Sequence, residues 1–152
     1  MSKTSLITTL IGISMLLLIL LCLQDWKNRS IRTDMVLFLL LCLGLSSFLN
    51  DRQTFFHNSL VNACVLAVHV LALVMFSKFR HGLSLHQVFG LGDTFFLFAT
   101  IPALTPKNYV LFILLSAIFA LVGSHLMNHK QNIPFVSYLA VTFIPFLITK
   151  FV

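Results

Sequence analysis

Long uncharged stretches alternate with short polar ones along the chain, and this pattern predicts its elements. The run Ser5–Gln24 holds 20 residues without a charge, and Met35–Asn50 holds 16. Asn58–Ser77, Tyr109–Asn128 and Ile133–Thr149 are similar in length. A helix crossing the hydrocarbon core of a bilayer needs about 20 residues, within a range of roughly 17–25. Barrel strands need only about 9–11, and a backbone in lipid must satisfy its own hydrogen bonds. The five runs therefore predict five transmembrane helices. The first is not a signal peptide: it exceeds the roughly 7–15 apolar residues of an h-region, and it ends in Asp25-Trp26-Lys27 with no small-x-small cleavage site.

The stretch between Arg80 and Lys107 breaks the pattern. Its uncharged part after Asp93, Thr94–Pro106, has 13 residues. As a helix that covers about 20 Å, short of a core of about 30 Å. To cross, a sixth span must begin near Leu83–Leu85, which places Asp93 within the membrane thickness. Otherwise Thr94–Pro106 is re-entrant. Both readings put Asp93 at or below the interface, directly after Gly90-Leu91-Gly92.

Composition narrows the class further. Hydrophobic residues make up 59% of the 152 and charged residues 9%, against roughly 45–50% and about a quarter in soluble domains. Mean hydropathy is +1.00. A soluble domain, a disordered chain and a coiled coil are thereby excluded. The fold class is all-α: one membrane-embedded domain over residues 1–152, a bundle of six transmembrane helices. Its ten cations stand singly between apolar runs, where they suit lipid headgroups rather than nucleic acid. Cys22, Cys42 and Cys64 all lie inside apolar runs without a C-x-x-C pair, so neither a disulfide framework nor a zinc site is expected.

Six spans place both termini on one side. The loops after spans 1, 3 and 5 carry Lys27, Arg29, Arg32, Lys78, Arg80 and Lys130; the opposite side carries Lys3, Arg52, Lys107 and Lys150. The positive-inside rule puts the first set in the cytoplasm. Asp25 ends span 1 and Asp93 lies near the start of span 4. The two carboxylates therefore share one membrane side, whichever way the protein is oriented.

An ionisable residue within a span suggests function. Two carboxylates brought close cannot both ionise cheaply, so one keeps its proton. Such a pair can take a proton from water and donate one to a carbonyl under attack, titrating as a unit. Gly90 and Gly92 remove side chains beside Asp93, which lets a substrate backbone or a neighbouring helix approach. The structural alternative pairs Asp25 with Lys27 or Arg29 and makes Asp93 a helix N-cap.

The same residues resemble a family. Asp25-Trp26-Lys27-Asn28-Arg29-Ser30-Ile31 is similar to the first motif of the type IV prepilin peptidases, and Gly90-Leu91-Gly92-Asp93 to their Gly-x-Gly-Asp motif. Ile133-Pro134-Phe135, followed by Leu139-Ala140, resembles the segment entering their last helix. The resemblance implies an intramembrane aspartyl endopeptidase in the plasma (inner) membrane, with its site on the cytoplasmic side. It would cleave the basic leader of prepilin-like or preflagellin-like proteins just before their hydrophobic helix. Asp25 and Asp93 would be the catalytic pair, with Gly90, Gly92 and Arg29 shaping the site. The sequence departs from the family pattern twice: Arg32 stands where proline is usual, and Phe95 where lysine is usual. Larger relatives carry a cysteine-bearing N-terminal segment associated with methylation. This chain resembles the short forms, so no methyltransferase activity and no cofactor are expected.

Other polar residues offer less. His69, mid-span, suits a bond to a neighbouring helix, or else a proton relay or metal. His86 precedes Asp93 by seven residues and suits the interface, or tunes the pair. His125 and His129 are spaced for a metal but lack a third ligand. Two rivals to the peptidase remain: a non-catalytic membrane scaffold of the same family, and a small proton-coupled transporter using Asp93 and His69.

Overall fold

The computed structural model describes residues 2–28, 32–80, 91–126 and 135–151. Among the described residues there are six α-helices and no strand: α1 (Lys3–Asn28), α2 (Thr33–Asn50), α3 (Arg52–Arg80), α4 (Leu91–Thr100), α5 (Pro106–Leu126) and α6 (Phe135–Phe151). A single 3-10 turn, Ile101–Ala103, continues α4. Four helices have segments long and apolar enough to cross a membrane: Lys3–Lys27, Thr33–Asn50, Arg52–Met75 and Pro106–Gly123. The apolar part of α6, Val136–Thr149, is shorter. The protein is an all-α polytopic membrane protein, as the apolar runs predict.

The helices outlast those runs where the local chemistry allows it. α3 starts at Arg52, six residues before the uncharged run, because Asp51 caps it. Its Oδ1 accepts from the backbone N–H groups of Gln53 and Thr54, at 3.0 and 3.4 Å, the usual N-cap geometry. Hydrogen bonding from the Thr54 side chain, and after it from the Thr54 and Gln53 N–H groups, holds the Asp51 carboxyl below its ordinary range. α5 opens three residues early on Thr105-Pro106, with proline in the first turn where its missing N–H costs nothing.

α4 is the short element. Its ten residues rise about 15 Å, and the 3-10 turn adds about 6 Å. Pro102 accounts for the change of helix type, since it cannot donate to the preceding turn and its ring crowds it. The predicted start of a fourth span near Leu83–Leu85 lies outside the described residues. The observed piece alone does not cross. Its foot is buried: Ile101, Ala103 and Leu104 are each 5% exposed or less, and Pro102 is buried with them. Asn62 of α3 secures it, donating through Nδ2 to the carbonyls of Ile101 (2.9 Å) and Leu104 (2.8 Å).

The core gathers Leu18 and Leu21 of α1, Leu39 and Leu43 of α2, Phe96 and Leu97 of α4, Phe112 of α5 and Phe143 of α6. Leu23, Leu41, Leu60, Val68 and Leu121 face outward, as lipid requires. Lipid tails are as apolar as leucine, so close packing and hydrogen bonds must hold the helices together. One such bond joins the buried hydroxyls of Ser116 and Thr142 across α5 and α6, at 2.6 Å. Gly123 of α5 leaves the space that the phenol ring of Tyr138 on α6 fills, because a Cβ there would collide with that ring. α1 packs against α2 and α6, α4 against α2 and α6, and the 3-10 turn against α3.

Candidate active site

Asp25 lies in the last turn of α1 and is 5% exposed. A buried carboxylate needs hydrogen-bond donors, and both of those at Asp25 Oδ2 come from one residue. The backbone N–H and the hydroxyl of Ser137 each reach it at 2.9 Å. Ser137 is the third residue of α6, where backbone N–H groups have no partner within the helix. The acid of α1 thus caps α6 at the positive end of that helix. The Ser137 hydroxyl also lies 3.2 Å from the Cys22 carbonyl. It has one proton to give, and the charged, shorter partner is the better acceptor. The alternative in which Lys27 pairs with Asp25 is not what forms: Lys27 is exposed, and the single ion pair among the described residues joins Arg32 to Asp34.

Asp93 is the third residue of α4, half-buried, with Gly92 half-buried beside it. It therefore sits within the first turn rather than at the N-cap. Successive helical residues are about 100° apart, so Asp93 shares a face with buried Phe96 and Leu97. Phe95, in the place where the resembled family has lysine, points the other way and is 46% exposed. Gly90, Arg29, His86 and His129 lie outside the described residues.

The register of α4 against α6 relates the two acids. Phe96 meets Phe143 edge-on, with ring centroids 6.5 Å apart. Both helices run away from the same end of the bundle. Asp93 stands three residues above Phe96, about 4.5 Å along the axis, and Ser137 six above Phe143, about 9 Å. Helix α6 touches both α1 and α4, so the helix that carries Asp25 and the helix that carries Asp93 have α6 as a common neighbour.

The other two acids are engaged elsewhere. Asp34 forms a bidentate pair with Arg32, at 2.6 and 3.2 Å, on an exposed surface. Asp51 caps α3 at the opposite end of the bundle. Arg32 itself, in the place of the expected proline, has φ −79° and ψ 114°, a backbone that proline also adopts. His69 is half-buried and has no hydrogen-bond partner among the described residues, so the expected bond to a neighbouring helix is not made there. A lateral groove of about 510 Å³ between α3 and α4 is lined by Ala63, Leu66, Val70, Val74, Phe98 and Ile101, among other apolar side chains. It offers a proton no polar stepping stones. The three cysteines are free. Among the described residues, no three His, Cys, Asp or Glu side chains come together as a metal site.

Sequence reasoning missed Ser137 and Asn62. Each is a polar residue well inside an apolar run, which is the signal that would have marked them. The family model described as the type IV leader peptidase family matches residues 12–125, a segment containing both Asp25 and Asp93. No curated protein and no solved structure gives a significant match.

Proposed function

The chain belongs to the type IV leader peptidase family, and on that premise we propose that it is an intramembrane aspartyl endopeptidase using Asp25 and Asp93. Its substrate is a prepilin-like membrane protein carrying a basic leader ahead of a hydrophobic helix. Cleavage takes place at the cytoplasmic face of the plasma membrane, the side with the larger share of loop cations. The observation that carries the reading is the shared neighbour of the two acids' helices. Asp25 bonds to the first turn of α6, and α4, which carries Asp93 in its own first turn, packs on α6, while Asp34 and Asp51 are committed to an ion pair and a cap.

The chemistry needs no metal or organic group from the protein. One carboxylate takes a proton from water as its oxygen attacks the scissile carbonyl carbon. The other gives its proton to the carbonyl oxygen. The resulting gem-diol then collapses: the C–N bond breaks, the amine leaves with a proton, and the leader departs as a carboxylic acid. The two acids act as a coupled pair, and Gly90 and Gly92 make room for the substrate backbone beside Asp93.

The test is co-expression with a prepilin-type substrate. Asp25→Asn and Asp93→Asn should each lower cleavage by about 10²–10⁴-fold, with membrane insertion retained. Cleavage at the normal rate by either variant rejects the pair.

A further inference from the structure

We propose that Ser137 is a positioning residue for this peptidase, fixing Asp25 through one oxygen so that the other faces the attacking water. The inference rests on the aspartyl reading above and adds a residue outside the segment that the family model matches.

Three observations carry it. First, two donors of a single residue converge on a single oxygen: the N–H and hydroxyl of Ser137 both bond to Oδ2 of Asp25, each at 2.9 Å. One bond leaves a carboxylate free to swing about it; two from different directions fix the plane of the group. With Oδ2 committed, Oδ1 is the oxygen left to accept a proton. Second, Ser137 is itself held. It is 4% exposed, its backbone belongs to the first turn of α6, and its hydroxyl lies against the Cys22 carbonyl one turn before Asp25. Third, α6 carries the Phe143 that meets Phe96 one turn below Asp93. Ser137 and Phe143 are six residues apart on one rigid helix, so a single element sets where both acids stand. Loosening Asp25 from Ser137 would disturb the geometry between them while leaving both acids in place.

The experiment uses the full chain, purified in detergent or nanodiscs, with a synthetic peptide bearing a basic leader and the start of a hydrophobic helix. Ser137→Ala removes the hydroxyl and keeps the N–H. The expectation is a fall in kcat of about ten-fold, the loss of one hydrogen bond to a charged group, with KM within two-fold. Ser137→Pro removes both donors at a first-turn position where proline fits a helix, and kcat should fall about 100-fold. Ser137→Thr keeps both donors and should restore most of the rate. A purely structural serine would not give this graded kcat series with rescue by threonine. Alanine and proline variants with wild-type kcat overturn the proposal, as does a loss confined to KM or a threonine variant as impaired as alanine. Asp25→Asn in the same assay separates the two claims. If it is inactive while the Ser137 variants are normal, only the positioning role fails. If it is fully active, the aspartyl reading fails first.

Discussion

Two buried polar contacts hold helix ends in this bundle, and they differ in one respect. At the Asp25 end, a carboxylate receives the N–H of the first turn of α6. At the foot of α4, the Asn62 amide gives two hydrogen bonds to the carbonyls of Ile101 and Leu104. Both answer the same demand, because backbone groups at a helix end find no water in an apolar interior. One contact uses an ionisable group and the other a neutral amide. For capping alone, serine or asparagine serves a helix start about as well as aspartate, and a buried charge costs more to hold than a buried amide. The Asn62 contact has the composition expected of pure structure. The Asp25 contact uses an ionisable group that structure does not require, and catalysis is the use proposed for it.

This contrast can be broken from either side. The largest effect is expected from Asp25→Asn: the cap survives in neutral form, so the thermal midpoint in detergent should stay nearly constant while leader cleavage is lost. A large drop in the midpoint would show that the charge itself is structural. Asn62→Leu should do the reverse. It leaves two buried carbonyls without a donor and should lower stability by about 1–3 kcal/mol, read by thermal or denaturant unfolding. Activity should fall only as far as α4 shifts. Asn62→Leu with wild-type stability would mean that the Ile101 and Leu104 carbonyls find other partners. A loss no larger than that, about 1–3 kcal/mol, follows from Gly123→Ala, whose new Cβ must displace Tyr138. Tyr138→Phe in the same background should recover part of it. Least of all is expected from Arg32→Pro. The backbone there already lies near proline's range, and the Arg32–Asp34 pair is exposed on both sides, where such pairs contribute little. Cleavage and melting should both match wild type within error.

The hydrophobic pattern made the bundle legible because it reports contact with lipid, and lipid contact is what most of these side chains do. α1, α2, α5 and α6 fall close to the uncharged runs for that reason. The start of α3 was missed because Asp51 extends the helix through a polar stretch, which hydropathy alone reads as loop. α4 was legible only as an anomaly: a 13-residue run too short to cross, ended by Pro102. Of the candidate site, Asp25 and Asp93 stood out because acids are scarce, and chain order alone put them on one side. Their partners were hidden. Ser137 bonds to a residue 112 positions away, and Asn62 to carbonyls 39 and 42 positions away. No local periodicity encodes such a pairing. The two departures from the family pattern find physical readings in the structure: position 32 keeps a backbone suited to proline, and Phe95 turns away from the buried face that Asp93 shares.

The bond between Asp25 and Ser137 also has a meaning in time. Asp25 lies 112 positions before Ser137, so during synthesis the acid waits through the four helices described between α1 and α6 for its partner. Until α6 inserts, neither donor at Oδ2 exists and nothing bridges α1 to α4 through that helix. An unfinished chain would hold both acids and yet lack the element that sets them in register. In the proposed reading, proteolytic competence arrives only once α6 has inserted, so a nascent copy that stops short of it holds both acids without their register.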